Sequence, residues 1–335
     1  MVARGLKFLI KEIGKYIIIF FIAVTTDFVF PRLVPGGPAD DIKARLASEG
    51  IMPSPALLHA IYVEMGISNA PIYIQYFQYL DDVFHFNFGA SMLFFPESVS
   101  KIIEQTLPWT LFLVITATII SFIIGNLLGR YAAMKRKTKR GTAVILITMF
   151  LGGIPAYVAG IILIYLFSFD FHLLPAYSSY NLTLYVPSLS FAFILSVIKH
   201  AILPIAAIVI ISLSSWTLQM RNNIIPLISE DFVNFMRIIG VREKVLNKLV
   251  YRNAILPNFT GFAMALGFSV SGVLLIEEVF SYPGIGFYLY EAIEAQDYPL
   301  IEGIFLTVIL AVLIANFVVD VIYSYLDPRI RIEVE

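Results

Sequence analysis

Long apolar runs, each of about 20 residues or more and sparse in charge, restrict this chain to the few folds that a hydrocarbon solvent permits. They cover Tyr16 to Val34, Leu107 to Met134, Thr142 to Phe169, Leu184 to Leu218, Ala254 to Phe280 and Leu300 to Leu326. A helix needs ~20 residues to cross ~30 Å of hydrocarbon, so every run is long enough to span a membrane. Of the 335 residues, 59% are hydrophobic and 14% charged, more apolar side chain than a soluble domain of this size can bury. The expected fold class is therefore all-α, a polytopic membrane protein.

The fourth run is too long for one straight crossing and contains Pro187 and Pro204. It fits either one span with a lead-in segment or two spans, and the basic residues decide. With six spans and both termini cytoplasmic, segments 1–15, 130–140, 221–253 and 327–335 hold 4, 6, 6 and 2 Lys or Arg, against 5 outside. A seventh span would move the basic residues of 221–253 to the wrong side. Six transmembrane helices in the cell membrane are expected. The first run continues through "TTDFVFPRLVPG" without a small-x-small cleavage pattern, so it reads as an uncleaved span rather than a signal peptide.

Residues 1–34 then form the cytoplasmic N-terminus and first span, and 35–106 a small extracellular helical cap. Residues 107–335 form a five-helix core that carries cytoplasmic helices at 229–251. The cap is proline-spaced, with short helical patterns at Pro55 to Met65 and Pro71 to Phe84. It is too short to be an enzyme domain of its own.

Between the fourth and fifth runs the chain turns polar, in "EDFVNFMRIIGVREKVLNKLVYRNAILP". Phe232, Phe235, Met236 and Ile239 follow i, i+3, i+4, i+7, one face of a helix. Beyond Gly240, Val241, Val245, Leu246 and Leu249 repeat the pattern, with Arg237, Arg242, Lys244 and Lys248 on the other sides. Gly240 suits the positive φ that ends one helix and opens the next. A pair of short helices is expected. Periodicity leaves two roles open: an interfacial helix resting on headgroups, or a helix whose apolar face enters a groove of a partner.

Glu230-Asp231, the glycine at 240 and the closing "NAILP" at 253–257 resemble the EAA loop of ABC importer permeases. Five flanking segments narrow the likeness: "RLVPGGPAD" (32–40), "QYFQYLDDVFHFNFGAS" (75–91), "LPWTL" (107–111), "EEVFSYPGIGFYLYEAIEAQDYP" (277–299) and "NFVVDVIYSYLDPRIR" (316–331). In order and spacing they are similar to dipeptide and oligopeptide permease subunits of the Opp/Dpp type. The bulky "EDFVNFM" departs from the small residues usual there, and "SEGIMPSPALLH" (48–59) is insertion-like.

The resemblance implies a subunit of a type I ABC importer that pairs with a second, homologous permease. It also implies two cytoplasmic ATP-binding subunits and an extracellular substrate-binding protein. Peptides are the implied cargo, with oligosaccharides or nickel as alternatives. ATP and magnesium are implied on the partner ATPases and no cofactor on this chain, which contains no G-x-x-x-x-G-K-[ST]. Glu230, Asp231, Phe232, Phe235, Met236, Arg237, Ile239 and Gly240 are the implied ATPase-coupling residues.

Asp27, Glu277, Glu278, Tyr282, Gly284 and Gly286 lie in or near the outer ends of spans. They are candidates for an outer gate or pathway, the carboxylates equally for groups that simply reach water. No enzyme site is expected. There is no cysteine, no two of the four histidines stand at i, i+4, and no histidine follows His200. Thus no metal site or nucleophile is indicated. A net charge of −1 gives no pointer to nucleic acid. The competing class is a secondary transporter, which would call for inverted repeats; the N-terminal half has no counterpart to 230–257.

Overall fold

A computed structural model describes residues 2–33, 47, 52, 54–55 and 70–326, with the backbone alone at 2–11, 30–31, parts of 260–272, 319–320 and 322–326. Nearly all of 35–69, the first half of the expected cap, lies outside the described residues, and with it the pattern from Pro55 to Met65 apart from Pro55 itself. Among the described residues the regular structure is helical, with one isolated antiparallel bridge between Ala90 and Ser98. The elements are α1 (Val2–Leu33), α2 (Ile72–Phe84), α3 (Val99–Met134), α4 (Lys139–Gly152), α5 (Ala156–Ile164, extended by a π-helical turn Tyr165–Asp170) and α6 (Phe191–Ile228). There follow α7 (Asp231–Ile238), α8 (Glu243–Gly272), α9 (Leu274–Val279), α10 (Ile285–Glu294) and α11 (Tyr298–Leu326).

The chain divides into two compact units, one of residues 1–109 and 284–335, the other of 110–283. In the first, α1 packs along α11, with α2 against α1 and α10 against α11. In the second, α6 is the central element, and α4, α5, α8 and α9 pack on it.

The helices carry apolar side chains on their exposed sides as well as in their buried contacts. On α3, Ile115, Ile119, Ile123 and Leu127 recur every four residues and are all exposed, while Thr118, Ser121 and Asn126 are buried. In lipid an exposed isoleucine carries no penalty, and small or polar side chains share the buried helix contacts with large apolar ones such as Leu113 and Phe122. Gly125 and Gly129 form a G-x-x-x-G pair at the α3–α6 contact. A Cβ at either would run into Trp216 or the Thr217 carbonyl.

Among the described residues three helices are long and apolar enough to cross a membrane: Val99–Met134, Phe191–Ile228 and the Tyr298–Val318 part of α11. The pair formed by α4 and the α5 segment would make a fourth. The chain is thus an all-helical, multi-pass membrane protein. At 1.5 Å per residue, α1 and α8 would reach ~48 and ~45 Å, also long enough.

Two expectations need correcting. The run Thr142 to Phe169 is not one straight span; Lys139–Gly152 and Ala156–Asp170 meet at a bend of 94°. Pro155 is the cause, since it has no N–H to donate and pushes Ile154 away from helical geometry. It sits at φ −58, ψ 141 as the cap of α5. Similarly, the second of the two short helices at 230–250 does not exist as a separate element. After Gly240 the chain enters α8 at Glu243 and continues unbroken to Gly272. Elsewhere the helices overrun the apolar runs: α3 starts at Val99 rather than Leu107. The fourth run becomes one helix, Phe191–Ile228, capped by Ser190 and preceded by irregular chain.

Candidate functional site

The two-turn helix α7 joins the ends of α6 and α8. Asp231 in its first turn and Arg237 in its last complement the helix dipole. Gly240 ends it in the left-handed region at φ 83, and nothing stands within 4 Å of where its Cβ would be. The Val241 N–H donates to the Met236 carbonyl and the Gly240 N–H to that of Arg237, both at 3.0 Å. These are the paired bonds of a Schellman cap. Beyond the turn, Arg237 Nε meets Glu243 Oε1 at 2.9 Å, tying α7 to the first turn of α8.

A buried side chain fastens α7 to the neighbouring helices as well. Val233 is 1% exposed and sits in a cluster with Ala133, Met220, Ile224, Ile228, Val250 and Ala254, drawn from α3, α6 and α8. Its neighbours point elsewhere: Phe235 is 62% exposed, Ile238 83% and Ile239 59%. Phe232 is exposed too, and Met236 half-buried. The helix thus has an anchored side and an unoccupied apolar side. Of the four residues whose spacing put them on one face, Phe232, Phe235 and Ile239 are exposed and Met236 is half-buried, and Ile238 is exposed beside them. Val233, the anchor, was not singled out by periodicity, because a single buried valine gives no period. Glu230 and Asp231 are exposed at the N-terminal end.

Above that cluster, three asparagines connect the long helices. Asn258 Nδ2 on α8 donates to Asn126 Oδ1 on α3 at 2.5 Å. Asn223 Nδ2 on α6 donates to Asn258 Oδ1 at 2.8 Å and to the Ala254 carbonyl at 3.0 Å. Asn126 Nδ2 in turn donates to the Phe122 carbonyl at 2.7 Å. Asn126 and Asn258 are almost fully buried. A polar group in an apolar surround is stable only when bonded, and here each amide is bonded to its neighbour. On the same two helices, the Arg130 guanidinium stands 4.7 Å from the Tyr251 ring centre.

The outer candidates separate between the units. Glu277, Glu278 and Tyr282 belong to residues 110–283, with Glu277 and Tyr282 fully buried. Burial, and secondarily the Glu277 charge, push the Tyr282 phenol above its usual range. Asp27, Gly284 and Gly286 belong to the other unit. There Asp27 is buried and accepts a hydrogen bond of 2.8 Å from the Tyr79 hydroxyl.

That unit also holds a junction the sequence did not mark. Asp297, fully buried, accepts from Ser91 Oγ at 2.5 Å and from the Leu93 N–H at 2.9 Å. Its other oxygen caps α11 through the Leu300 N–H at 3.2 Å. Ser91 closes the "FGAS" segment and Asp297 lies in "AQDYP", so two motifs 206 residues apart meet in one carboxylate. Among the described residues no group of three or more His, Cys, Asp or Glu is placed to hold a metal ion.

Residues 125–332 match the family model described as "binding-protein-dependent transport system inner membrane component". The matched region holds α7, the Asn126–Asn258 bond and Asp297. The chain is 30% identical to the di/tripeptide transport system permease protein of Pseudomonas aeruginosa, over 97% of this chain and 99% of that one. It is 27% identical to the dipeptide transport system permease protein of Lactococcus lactis subsp. cremoris, with the same coverage of both chains.

Proposed function

The chain belongs to the family of binding-protein-dependent transport system inner membrane components, and from that membership we propose that it works as a permease subunit of an ATP-driven peptide importer. Peptide cargo rests on its likeness, over nearly its whole length, to permeases of dipeptide and di/tripeptide systems. In this reading the chain crosses the membrane six times with both ends in the cytoplasm, the arrangement that keeps most Lys and Arg inside. Residues 35–106 form an external cap. A second, homologous permease completes the pathway, an external binding protein delivers peptide, and two cytoplasmic ATPases bind ATP and magnesium.

The observation that carries the mechanism is the two-sided character of α7. Val233 locks it to a core built from α3, α6 and α8, while Phe232, Phe235, Ile238 and Ile239 stay exposed. Aromatic and aliphatic side chains of this kind anchor interfaces. A groove on one of the two ATPases covers them, and when the ATPases close on ATP, α7 moves as a rigid piece with α6 and α8. Gly240 fixes the angle between α7 and α8. Asp27, Glu277, Glu278, Tyr282, Gly284 and Gly286 remain the candidates for an outer gate or pathway, each taken by itself.

The test is Phe235→Asp in the reconstituted importer. It should abolish peptide uptake and peptide-stimulated ATP hydrolysis while the chain stays in the membrane and keeps its partner permease. Normal uptake by that variant would refute the role given to α7.

A further inference from the structure

The turn between α3 and α4 carries the densest positive charge in the described chain. Lys135, Arg136, Lys137, Lys139 and Arg140 are all exposed, and among the described residues none of them pairs with a carboxylate. No Asp or Glu occurs anywhere from Gln105 to Phe169. The basic stretch around α7 is different, because Glu230, Asp231 and Glu243 are interleaved there and Arg237 is paired.

Arg136, Lys137 and Lys139 line an open hollow of about 420 Å³, whose remaining wall comes from Thr138, Thr142, Ala143 and Leu146. The wall does not stop at the rim. Lys139, Thr142, Leu146 and Phe150 follow one face of α4, with Leu146 62% and Phe150 74% exposed. Cationic side chains at one end and bare apolar side chains running away from them match the two ends of one amphiphile. A soluble phosphate would use only the first. The topological role of basic loops accounts for the charge, yet not for an apolar strip leading out of the hollow.

We propose that this hollow is a binding site for an anionic phospholipid, its phosphate held by Arg136, Lys137 and Lys139 and an acyl chain laid along Leu146 and Phe150. Basic pockets at the membrane surface hold anionic headgroups by such charge pairing. The inference needs only that the chain is embedded in a bilayer, and stands apart from cargo and from the role of α7.

The experiment is native mass spectrometry of the full chain in its assembled complex, released from nanodiscs of equal phosphatidylglycerol and phosphatidylcholine. The wild type should retain phosphatidylglycerol selectively. A variant with Arg136→Gln, Lys137→Gln and Lys139→Gln should lose at least about tenfold of that retention, since each cation near an anionic surface contributes several-fold. Lys137→Arg with Lys139→Arg should keep it, which separates loss of charge from damage to the turn. Phe150→Ser should weaken it in part. Equal retention by wild type and the triple Gln variant would overturn the proposal. So would protection against heat by glycerol 3-phosphate as strong as that by phosphatidylglycerol, which would make the hollow a soluble-anion site. Efficient disulfide cross-linking of Phe150→Cys to a partner permease would also overturn it, because a protein would then cover the strip.

Discussion

Asn258 of α8 and Asn126 of α3 share a hydrogen bond of 2.5 Å between side chains that are almost wholly buried. Asn223 completes the chain from α6. Since α7 hangs between α6 and α8, this network and the Val233 cluster hold together the helices that any movement of α7 must shift. Interhelical bonds in membrane proteins contribute about 0.6 kcal/mol on average and up to ~1.7. Asn258→Leu should therefore lower the midpoint of thermal inactivation in detergent by an amount equivalent to about 1–2 kcal/mol. Asn258→Asp should be worse, because it buries a charge against Asn126 without a cation. An Asp variant as stable as wild type would show that the site is wetter than its burial indicates.

The two sides of α7 predict two separable defects. Val233→Ala removes buried methyl groups from a packed cluster and should destabilise the chain by about 1–2 kcal/mol, read as earlier thermal unfolding. Phe235→Ala leaves that cluster intact and should not change unfolding, but should weaken co-purification of the ATPases at least tenfold. If both substitutions acted alike on stability, α7 would not be the two-sided helix described.

Much of this architecture was legible in the residues, and the misses have identifiable causes. Apolar runs located the long helices because hydrocarbon selects for length and low charge regardless of neighbours. They did not show the 94° bend, although Gly152, Gly153 and Pro155 were there to mark it, because apolar composition alone takes no account of them. Of the face read from spacing, Phe232, Phe235 and Ile239 are exposed and Met236 is half-buried, whereas the second short helix was an artefact of amphipathic residues that begin a long one. Asn126 and Asn258 could have been marked as polar residues inside apolar runs, and Gly125 and Gly129 as a contact motif. That the two asparagines bond to each other is tertiary information, because 132 residues separate them. The Ser91–Asp297 contact was hidden for the same reason, although both residues lie in segments that carried the family likeness.

Asp297 is the next residue whose loss should be severe. Removing its carboxylate leaves the Leu93 and Leu300 N–H groups and the Ser91 hydroxyl without their acceptor. Each buried group left unsatisfied costs about 1–3 kcal/mol. Asp297→Ala should deplete the protein from membranes, measured by immunoblot of the membrane fraction. Asp297→Asn retains one acceptor oxygen and should deplete it less. Wild-type levels of the Ala variant would mean that the segment 91–94 is held by other contacts.

Helix ends give a prediction with two signs. Gly240 and Gln296 both occupy the left-handed position of a Schellman cap, at φ 83 and φ 54. The Gln296 N–H donates to the Ile293 carbonyl and the Asp297 N–H to that of Ala292, as at α7. A side chain there costs roughly 1–2 kcal/mol relative to glycine. Gly240→Ala should therefore destabilise by about that amount through backbone strain alone, since its Cβ would meet nothing. Gln296→Gly should raise thermal stability by about 1 kcal/mol, its exposed side chain giving up little. Opposite shifts in the two melting curves are the expected result.

Orientation supplies the last prediction. Lys137 lies in the acid-free basic turn between α3 and α4, and in the six-span arrangement that turn faces the cytoplasm with segments 1–15, 221–253 and 327–335. The chain has no native cysteine, so a single introduced thiol reports without background. Lys137→Cys in intact cells should resist a membrane-impermeant maleimide and react once the membrane is opened. Lys101→Cys, near the start of α3, should react in intact cells, because more than 30 residues of helix separate the two ends. Labelling in the reverse order would place α7 outside, where no ATPase could reach it. Labelling of both positions from one side would mean that α3 does not cross the bilayer at all.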